Sequence, residues 1–282
     1  MNLVVERAGP LTTVQDLGRP GYAHLGVPRA GALDQPALRL ANRLVGNPEG
    51  AAGLELTLGG FAARLSRAGT VALTGAGAPL RVDGRPAPLG APVAVPAGAR
   101  IEVGSAVAGL RPYLAIDGGL AVPPVLGSRS TDTLSWLGPP VIKDGVTLPL
   151  GSPTEPSTVD VAPLPRPPGE LRLRVCLGPR ADWFTDEARE LLFCRQYEIS
   201  NESNRVGTRL IGAALPRAVA GELESEGIVL GAVQVPASGQ PLVFLADHPT
   251  TGGYPVIGVV DTADLPALAQ ARPGNTVQFY GP

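Results

Sequence analysis

The 282-residue sequence contains few histidines, cysteines or aromatic residues: two histidines, two cysteines and 4% aromatics. A serine triad or a multi-histidine metal centre would have to be built from His24 and His248 alone, which argues against both kinds of site. Cys176 and Cys194 have neither the spacing of metal ligands nor a disulfide pattern. We therefore assign no residue to a metal and interpret both cysteines as reduced thiols in the core.

The sequence also lacks a strong charge of either sign and a long apolar run. A net charge of −2 gives no basic surface for nucleic acid or for an anionic membrane. No apolar stretch reaches the roughly 20 residues that cross a bilayer. Residues 1–7 are typical of a first strand rather than of a signal peptide. We therefore expect a globular cytoplasmic protein without nucleic-acid or membrane partners.

Nucleotide-binding and hydrolase motifs are missing as well. Segment 74–78 (TGAGA) contains one Gly-x-Gly but no third glycine and no following helix, so it is not a dinucleotide fingerprint. The sequence has no Gly-x-x-x-x-Gly-Lys-Ser/Thr loop and no Gly-x-Ser-x-Gly elbow. If the protein takes part in ATP chemistry, it does so without a P-loop.

Glycine and proline, in contrast, are abundant, at 37 and 31 residues. Short apolar stretches recur between residues 54 and 116 with turns between them, which is typical of a β-meander or a closed barrel. Asp34 precedes a first helix, and further helices are predicted near 186–193 and from about residue 264. The sequence thus predicts a mainly β fold with a few short helices.

A proline-rich segment divides the chain. Residues 151–170 contain many prolines and no apolar periodicity, so we predict a linker and a domain boundary there. An N-terminal β-barrel domain of residues 1–150 would precede the linker, and a C-terminal β-barrel domain of residues 171–282 would follow it.

Polar side chains cluster between residues 201 and 255, at the ends of short apolar stretches. Arg205 and Arg209 lie at even spacing, so on a continuous strand both guanidinium groups would face one side and could hold a carboxylate or a phosphate. Glu226 would neutralise one of these charges and could transfer a proton, which leaves one positive charge for an anionic ligand. The alternative is a set of solvated ion pairs around an ordinary Gly-Gly turn.

The long first loop is a second polar segment, with an amide, an acid and a guanidinium in Gln15, Asp16 and Arg19. We expect it to lie beside the 201–255 cluster, because both are polar and Gly-rich and neither can be satisfied within a barrel core. Structural alternatives are an Asp16–Arg19 ion pair that fixes the loop and an N-cap role for Asp34. Segment 127–131 (GSRST) suits an oxyanion, but capping of a turn by its hydroxyls is favoured.

Eight segments together carry a family resemblance. They are TTVQDLGRPG (12–21), GVPRAGALD (26–34), LANRLVGN (40–47), GSRST (127–131), SNRVGTRL (203–210), SEG (225–227), QVP (234–236) and TTGGYP (250–255). Over essentially the whole chain they resemble the allophanate hydrolase subunit 2 family. That family includes the Kip antagonist proteins, the C subunit of bacterial 5-oxoprolinase and half of the carboxyltransferase region of urea carboxylase. The resemblance implies two cyclophilin-like β-barrels.

The same resemblance implies a subunit, inactive alone, of an ATP-dependent 5-oxoprolinase that opens the lactam of 5-oxo-L-proline to give L-glutamate. Its partners would be the Kip inhibitor-like B subunit and the A subunit of that enzyme, with ATP bound at the level of the complex. One alternative is a carboxyltransferase component that works with biotin on a separate carrier, since the chain has no Met-Lys-Met motif. Another is a regulatory protein that antagonises a kinase inhibitor.

Under the first hypothesis, we assign roles to residues within these motifs. The catalytic residues would be Arg205, Arg209, Glu226 and Asp16. The substrate-binding residues would be Gln15, Arg19, Asp34, Asn204, Gln234, Thr250, Thr251 and Tyr254.

Overall fold

The computed structural model describes residues 1–153, 159–165, 169–221 and 223–282. The chain forms two compact units. Unit 1 comprises Met1–Arg19, Ala30–Asp132 and Trp136–Pro167, and unit 2 comprises Pro20–Arg29, Thr133–Ser135 and Pro168–Pro282. The linker expected at 151–170 includes residues 154–158 and 166–168, which lie outside the described residues. The domain boundary placed there therefore stays a prediction.

Unit 1 contains two antiparallel sheets and the helix α1 (Gln35–Leu44). The strands are β1 (Asn2–Arg7), β2 (Leu11–Gln15), β3 (Gly53–Thr57), β4 (Gly59–Leu65), β5 (Gly69–Gly77), β6 (Leu80–Val82), β7 (Arg85–Ala87), β8 (Val93–Val95), β9 (Arg100–Ser105), β10 (Ala108–Ile116) and β11 (Thr147–Pro149). The six-stranded sheet has the order β11-β1-β4-β9-β6-β7, and the five-stranded sheet has the order β2-β3-β10-β5-β8. The predicted run of short strands between 54 and 116 is thus distributed over both sheets.

One apolar core lies between the two sheets of unit 1. Val5 and Phe61 of the six-stranded sheet and Leu54 and Leu114 of the five-stranded sheet belong to the same buried cluster. In β1, Leu3 and Val5 are buried while the alternate positions are exposed, as the two-residue period of a strand requires. Complete burial of an aliphatic side chain of this size contributes about 1.5–3 kcal/mol, so this core is a main source of stability.

Helix α1 covers the other face of the five-stranded sheet. Asp34 is its N-cap, since the Asp34 carboxylate accepts a hydrogen bond from the Ala37 N–H at 3.0 Å. Thr74 of β5 attaches the first turn to the sheet, because its hydroxyl donates to the Ala37 carbonyl at 2.7 Å. The contacts of Asp34 are therefore those of an N-cap residue. Its role in binding substrate stays a prediction.

Four polar residues cross the sheet beneath α1 in one row. Thr13, Glu55, Tyr113 and Thr74 are register partners on β2, β3, β10 and β5, and all four are buried. The Tyr113 hydroxyl donates to Glu55 Oε2 at 2.7 Å and accepts the Asp34 N–H at 2.8 Å. Burial, reinforced by the neighbouring Glu55 charge, raises the pKa of Tyr113 well above its ordinary value. Tyr113 is therefore protonated at neutral pH and attaches the start of α1 to the sheet.

Removing the Tyr113 hydroxyl is expected to destabilise the protein. Tyr113→Phe deletes one donor to the buried Glu55 and the acceptor of the Asp34 N–H, so we expect a loss of about 1–3 kcal/mol in urea unfolding. Tyr254→Phe is the matched control, because Tyr254 is 44% exposed and the same change there should stay within about 0.5 kcal/mol. Equal effects of the two substitutions would contradict the role given to Tyr113.

Unit 2 contains a closed barrel, a two-stranded ribbon, the helices α2 (Asp186–Cys194) and α3 (Leu265–Ala269), and 3₁₀ turns at Ala23–Leu25 and Ala181–Trp183. The strands are β12 (Glu170–Leu177), β13 (Gln196–Ile199), β14 (Gly207–Ile211), β15 (Glu226–Gly227), β16 (Ala232–Gln234), β17 (Leu242–Phe244), β18 (Thr251–Gly252), β19 (Val256–Val260) and β20 (Thr276–Tyr280). The barrel order is β12-β19-β16-β17-β14-β13-β20. The ring closes because β20 pairs in parallel with β12 and antiparallel with β13. The mainly β fold class, with a closed barrel in unit 2, is confirmed.

Strand alternation also determines where the cysteines lie. On β12, Leu171, Leu173 and Val175 are buried, so Cys176 falls on the outer face of the barrel. Cys194 is the last residue of α2. Both are free and exposed, so their interpretation as core thiols is wrong. Among the described residues, no helix has both the length and the apolar character that crossing a membrane would require.

Candidate functional site

The segment before β14 is a turn and not a continuation of the strand. The Asn204 Oδ1 accepts the N–H of Val206 at 2.8 Å and that of Gly207 at 3.4 Å. Such a short-range contact from an asparagine side chain is typical of turns. Because β14 begins only at Gly207, Arg205 and Arg209 do not share one strand face.

Arg205 forms a buried ion pair with Asp247. Its Nε and Nη2 donate to Oδ2 and Oδ1 of Asp247, each at 3.0 Å, and the side chains are 1% and 0% exposed. Asp247 Oδ2 also accepts the Thr133 N–H at 2.9 Å and the Thr133 hydroxyl at 2.7 Å. The forked, charge-assisted contact therefore neutralises both groups inside unit 2.

Arg209, in contrast, is exposed. Its side chain is 51% accessible, and its Nε lies 3.9 Å from a carboxylate oxygen of Glu202, which is itself 75% accessible. The expectation that both arginines face one side, with Glu226 as their counter-charge, is therefore wrong: Asp247 pairs with Arg205, and Glu226 pairs elsewhere. The physical reason is the Asn204 turn, which the even spacing of the two arginines does not reveal. Their catalytic roles stay predictions.

The contrast between the two arginines gives a stability test. We expect Arg205→Ala to lower the free energy of unfolding by about 3–5 kcal/mol, because it leaves the Asp247 charge buried without its partner. Arg209→Ala, four positions later, should change it by no more than about 0.5 kcal/mol. The double variant Arg205→Ala/Asp247→Ala should recover part of the loss. Denaturant unfolding curves that do not separate the two single variants would contradict this assignment.

A second group of polar residues surrounds the β15–β18 ribbon of unit 2. Glu226 and Gly227 pair with Gly252 and Thr251, and the Ile228 N–H donates to the Thr250 carbonyl at 2.9 Å. We call the residues around this ribbon the ribbon cluster: Arg180, Arg217, Glu226, Gln234, Thr250, Thr251 and Tyr254. Five of the predicted site residues therefore lie together, although they come from three separate sequence motifs.

Gln234 connects the ribbon to the barrel. It is buried at the end of β16, and its Nε2 donates to the Tyr254 carbonyl at 3.2 Å. A Cβ atom at position 252 would lie 2.9 Å from this Nε2, so a larger residue there would displace the Gln234 amide from its present position. The Gly-Gly turn thus has a packing reason in the structure.

Arg180 holds Glu226, and its role was not predicted from the sequence. The Arg180 Nε donates to Glu226 Oε2 at 3.0 Å, and its Nη2 contacts Oε1. The hydrogen bonds from Arg180 lower the pKa of Glu226 below its ordinary value. Arg180 directly follows the β12 strand and a Gly-Pro pair, and that position at a strand end is the signal by which the sequence could have identified it.

The Arg180–Glu226 pair can be tested by titration. We expect the carboxyl of Glu226 to titrate below the ordinary value of about 4.3, so that the pair is present at neutral pH and is lost as the pH falls through the lowered pKa. Arg180→Gln should return the pKa of Glu226 toward its ordinary value. Carboxyl NMR titration measures this, with Arg172→Gln on β12 as the control. An unchanged Glu226 titration in Arg180→Gln would contradict the pairing.

Arg217 is the other residue of the ribbon cluster that sequence reasoning missed. Its Nη2 donates to the Val235 carbonyl at 2.7 Å, and its guanidinium lies 5.8 Å from the centre of the Tyr254 ring. Tyr254 is 44% exposed, so the stacked pair lies at the surface. The ribbon cluster thus combines a carboxylate, a buried amide, threonine hydroxyls and a cation stacked on an aromatic ring.

The first loop, in unit 1, has a different kind of centre. Asp16 Oδ1 accepts the Gly18 N–H at 2.8 Å and the hydroxyls of Ser128 and Ser130 at 2.6 Å, while Oδ2 accepts the Arg129 N–H at 2.6 Å. A buried carboxylate with this many donors is suited to fixing a loop. The two serine hydroxyls of the GSRST segment therefore bind Asp16. The catalytic role of Asp16 stays a prediction.

Gln15 and Arg19 are tied to the same segment of unit 1. The Gln15 Nε2 donates to the Thr13 hydroxyl and to the Thr131 carbonyl, each at 3.0 Å. The Arg19 Nη2 donates to the Ser130 carbonyl. These contacts explain why the loop is ordered. The expectation that it lies beside the 201–255 cluster, and the substrate roles of both residues, stay predictions.

The chain can now be compared with known proteins. The family described as carboxyltransferase domain, subdomain A and B, matches residues 25–281. The chain belongs to this family. Within it, the C subunit of 5-oxoprolinase from Escherichia coli (strain K12) is 40% identical over 280 residues, which is 98% of this chain and 90% of that protein. The corresponding protein of Haemophilus influenzae is 34% identical over 95% of this chain. The resemblance found in the sequence motifs is therefore confirmed.

Other members of the carboxyltransferase family are larger proteins. Urea amidolyase of Saccharomyces cerevisiae is 35% identical over 96% of this chain, which covers 16% of that protein. The crystal structure of TTHA0988 superposes with a TM-score of 0.90 at 39% identity over 99% of this chain and 55% of that chain. The K. lactis urea amidolyase structure gives a TM-score of 0.92 at 30% identity, and this chain covers 18% of it. The chain thus spans about half of TTHA0988 and a smaller part of the amidolyases.

Among the described residues of this family member, no group of three or more His, Cys, Asp or Glu side chains could hold a metal ion. The side chains of the ribbon cluster themselves supply a proton acceptor and several hydrogen-bonding groups. Glu226 can accept a proton, and the Gln234 amide and the Thr250 and Thr251 hydroxyls can donate and accept hydrogen bonds.

Proposed function

We propose that this chain belongs to an ATP-dependent 5-oxoprolinase complex, which hydrolyses 5-oxo-L-proline to L-glutamate. The observation that supports it best is the 40% identity to the C subunit of 5-oxoprolinase over nearly the full length of both chains. The complex would include a Kip inhibitor-like B subunit and an A subunit, and the chain alone would be inactive. The sequence has no P-loop, so we place ATP binding at the level of the complex.

Activation by phosphate suits this substrate. Resonance makes the lactam carbonyl a poor electrophile, and transfer of the γ-phosphoryl group of ATP to the lactam oxygen would convert that oxygen into part of a leaving group. Addition of one water to the carbon and cleavage of the C–N bond would then release the amine and leave an acyl phosphate. A second water would hydrolyse the acyl phosphate to the γ-carboxylate of glutamate and inorganic phosphate. A proton acceptor for the attacking water is needed in this sequence of steps.

We propose Glu226 as this proton acceptor, with Arg180 as its positioning residue. The Glu226 carboxylate is ionised at neutral pH and can accept a proton, and the hydrogen bonds from Arg180 hold it in position. Gln234, Thr250, Thr251 and Tyr254 would contact the substrate. The exposed Arg209 would meet the phosphate or carboxylate, while Arg205 would act through its ion pair with Asp247.

Reconstitution tests the proposal. The chain is mixed with its two partner proteins, and phosphate and glutamate are measured with and without 5-oxoproline. We expect phosphate release that depends on 5-oxoproline, and a loss of about 10²–10⁴-fold in turnover for Glu226→Gln. Glu190→Gln, on the exposed face of α2, makes the same charge change away from the ribbon and should leave turnover unchanged. Phosphate release independent of 5-oxoproline in every combination would contradict the proposal and favour a purely regulatory role.

A carboxyltransferase function is the second candidate, favoured by the 35% identity to urea amidolyase over 96% of this chain. Biotin would arrive on a separate carrier protein and would supply the carboxyl group for transfer. The Gln234 amide and the threonine hydroxyls of the ribbon cluster are groups that can hydrogen-bond a ureido ring. Transfer of labelled carboxyl from a carboxylated biotin carrier to urea, without glutamate formation from 5-oxoproline, would support this function over the first.

A further inference from the structure

A cleft of about 440 Å³ lies on unit 2, on the side where α2 begins. Its walls come from α2, from residues 214–217 and from the turn 237–239. This volume falls within the range of small-molecule sites, roughly 300–1,000 Å³. Two of its lining residues are charged, Glu187 on α2 and Arg217 on the 214–217 segment, and Leu191, Leu215 and Pro216 contribute apolar surface to the same cleft.

The walls of the cleft are held by backbone contacts. The Leu215 N–H donates to the Gly239 carbonyl at 2.9 Å, and the Gly239 N–H donates to the Pro236 carbonyl at 3.0 Å. On the other side, the Ala218 N–H donates to the Trp183 carbonyl at 2.8 Å, which connects the Arg217 segment to the start of α2. The cleft is therefore formed before any ligand binds, which lowers the entropic cost of binding.

Arg217 contributes a positive charge that no acidic side chain among the described residues neutralises. Its Nη2 is bound to the Val235 carbonyl, and its Nε is buried without an acceptor within the described part of the chain. It forms no ion pair with any carboxylate of the described ranges, and its remaining contact is with the Tyr254 ring. A half-buried guanidinium that lines a cleft and has no carboxylate partner among the described residues favours an anionic ligand, and a carboxylate fits a guanidinium fork.

Glu187 adds the opposite charge to the lining of the same cleft. It lies in the first turn of α2 and is exposed. Across the described residues it has no cationic partner, so Glu187 and Arg217 line one cleft without bonding to each other. An anion alone would be repelled by Glu187, and a cation alone would be repelled by Arg217. A molecule carrying both charges satisfies both residues.

We propose that this cleft binds a free α-amino acid with an aliphatic side chain. Arg217 receives the carboxylate, Glu187 receives the ammonium group, and the side chain lies on Leu191, Leu215 and Pro216. Binding of an amino acid in this cleft is a different function from the lactam hydrolysis proposed above. It is tested by binding to the chain without partner proteins or ATP, so the two proposals can fail independently.

Three probes that share the isobutyl group of leucine distinguish the contributions of the two charges. L-Leucine has both, 4-methylpentanoate has only the carboxylate, and 3-methylbutylamine has only the ammonium group. In calorimetric titrations of the full chain, we expect saturable binding of leucine, with each single-charge probe weaker by about tenfold or more. Absence of saturable leucine binding, or equal binding of 4-methylpentanoate and leucine, would overturn the proposal.

Substitutions test which residues of the cleft bind leucine. Arg217→Gln should weaken leucine binding by about tenfold or more, and Arg217→Lys should restore only part, because an ammonium group cannot make the forked contact. Glu187→Gln, an exposed change that leaves the fold intact, should weaken leucine and strengthen 4-methylpentanoate. Arg172→Gln is the matched control, since Arg172 also stacks on a tyrosine, Tyr280 at 5.2 Å, but does not line the cleft. Unchanged leucine affinity in both Arg217→Gln and Glu187→Gln would refute the site.

Discussion

Asp247 and Arg205 are removed from water when unit 2 folds, and the loops at that end of the barrel depend on how these charges are compensated. Each buried charge would cost several kcal/mol alone, so the pair persists only with the forked geometry and the added donors of Thr133. The requirement also fixes the backbone: the Asp247 N–H donates to the Arg205 carbonyl, and the Leu245 N–H donates to the Val206 carbonyl. The turn before β14 and the segment after β17 are therefore positioned together.

In unit 1, a single buried carboxylate is compensated by neutral hydrogen-bond donors. Asp16 gathers backbone N–H groups and serine hydroxyls around a single charge, so a loop without regular structure has a defined shape. The ribbon cluster differs from both centres. Its Arg180–Glu226 pair is about one-third exposed, and Gln234 is the main buried polar anchor. A site that binds a ligand needs such groups, because fully satisfied buried charges have no capacity left for a partner.

Features that depend on a local sequence pattern could be predicted from the sequence. Alternation on β12 and β20, the N-cap at Asp34 and the Gly-Gly turn beside β18 all follow from neighbouring residues. The identity of ion-pair partners was not accessible in this way. Arg205 and Asp247 are 42 residues apart and Arg180 and Glu226 are 46 residues apart, so neither pair follows from neighbouring residues. The Asn204 turn overrides the strand period that suggested a shared face for Arg205 and Arg209. The predicted burial of the cysteines was wrong for a related reason. Cysteine is a residue type that favours burial, but the strand register places Cys176 on the outer face of the barrel.

The parallel pairing of β12 with β20 has a consequence for biosynthesis. The first and last strands of the ring are direct neighbours, from Glu170 opposite Thr276 to Arg174 opposite Tyr280. A ribosome that adds residues at about 5–20 per second needs several seconds to pass from one strand to the other. During that interval the edge of β12 that later pairs with β20 has no partner strand. Ring closure is thus a late event in the synthesis of unit 2, and long-range contacts of this kind make it slow as well.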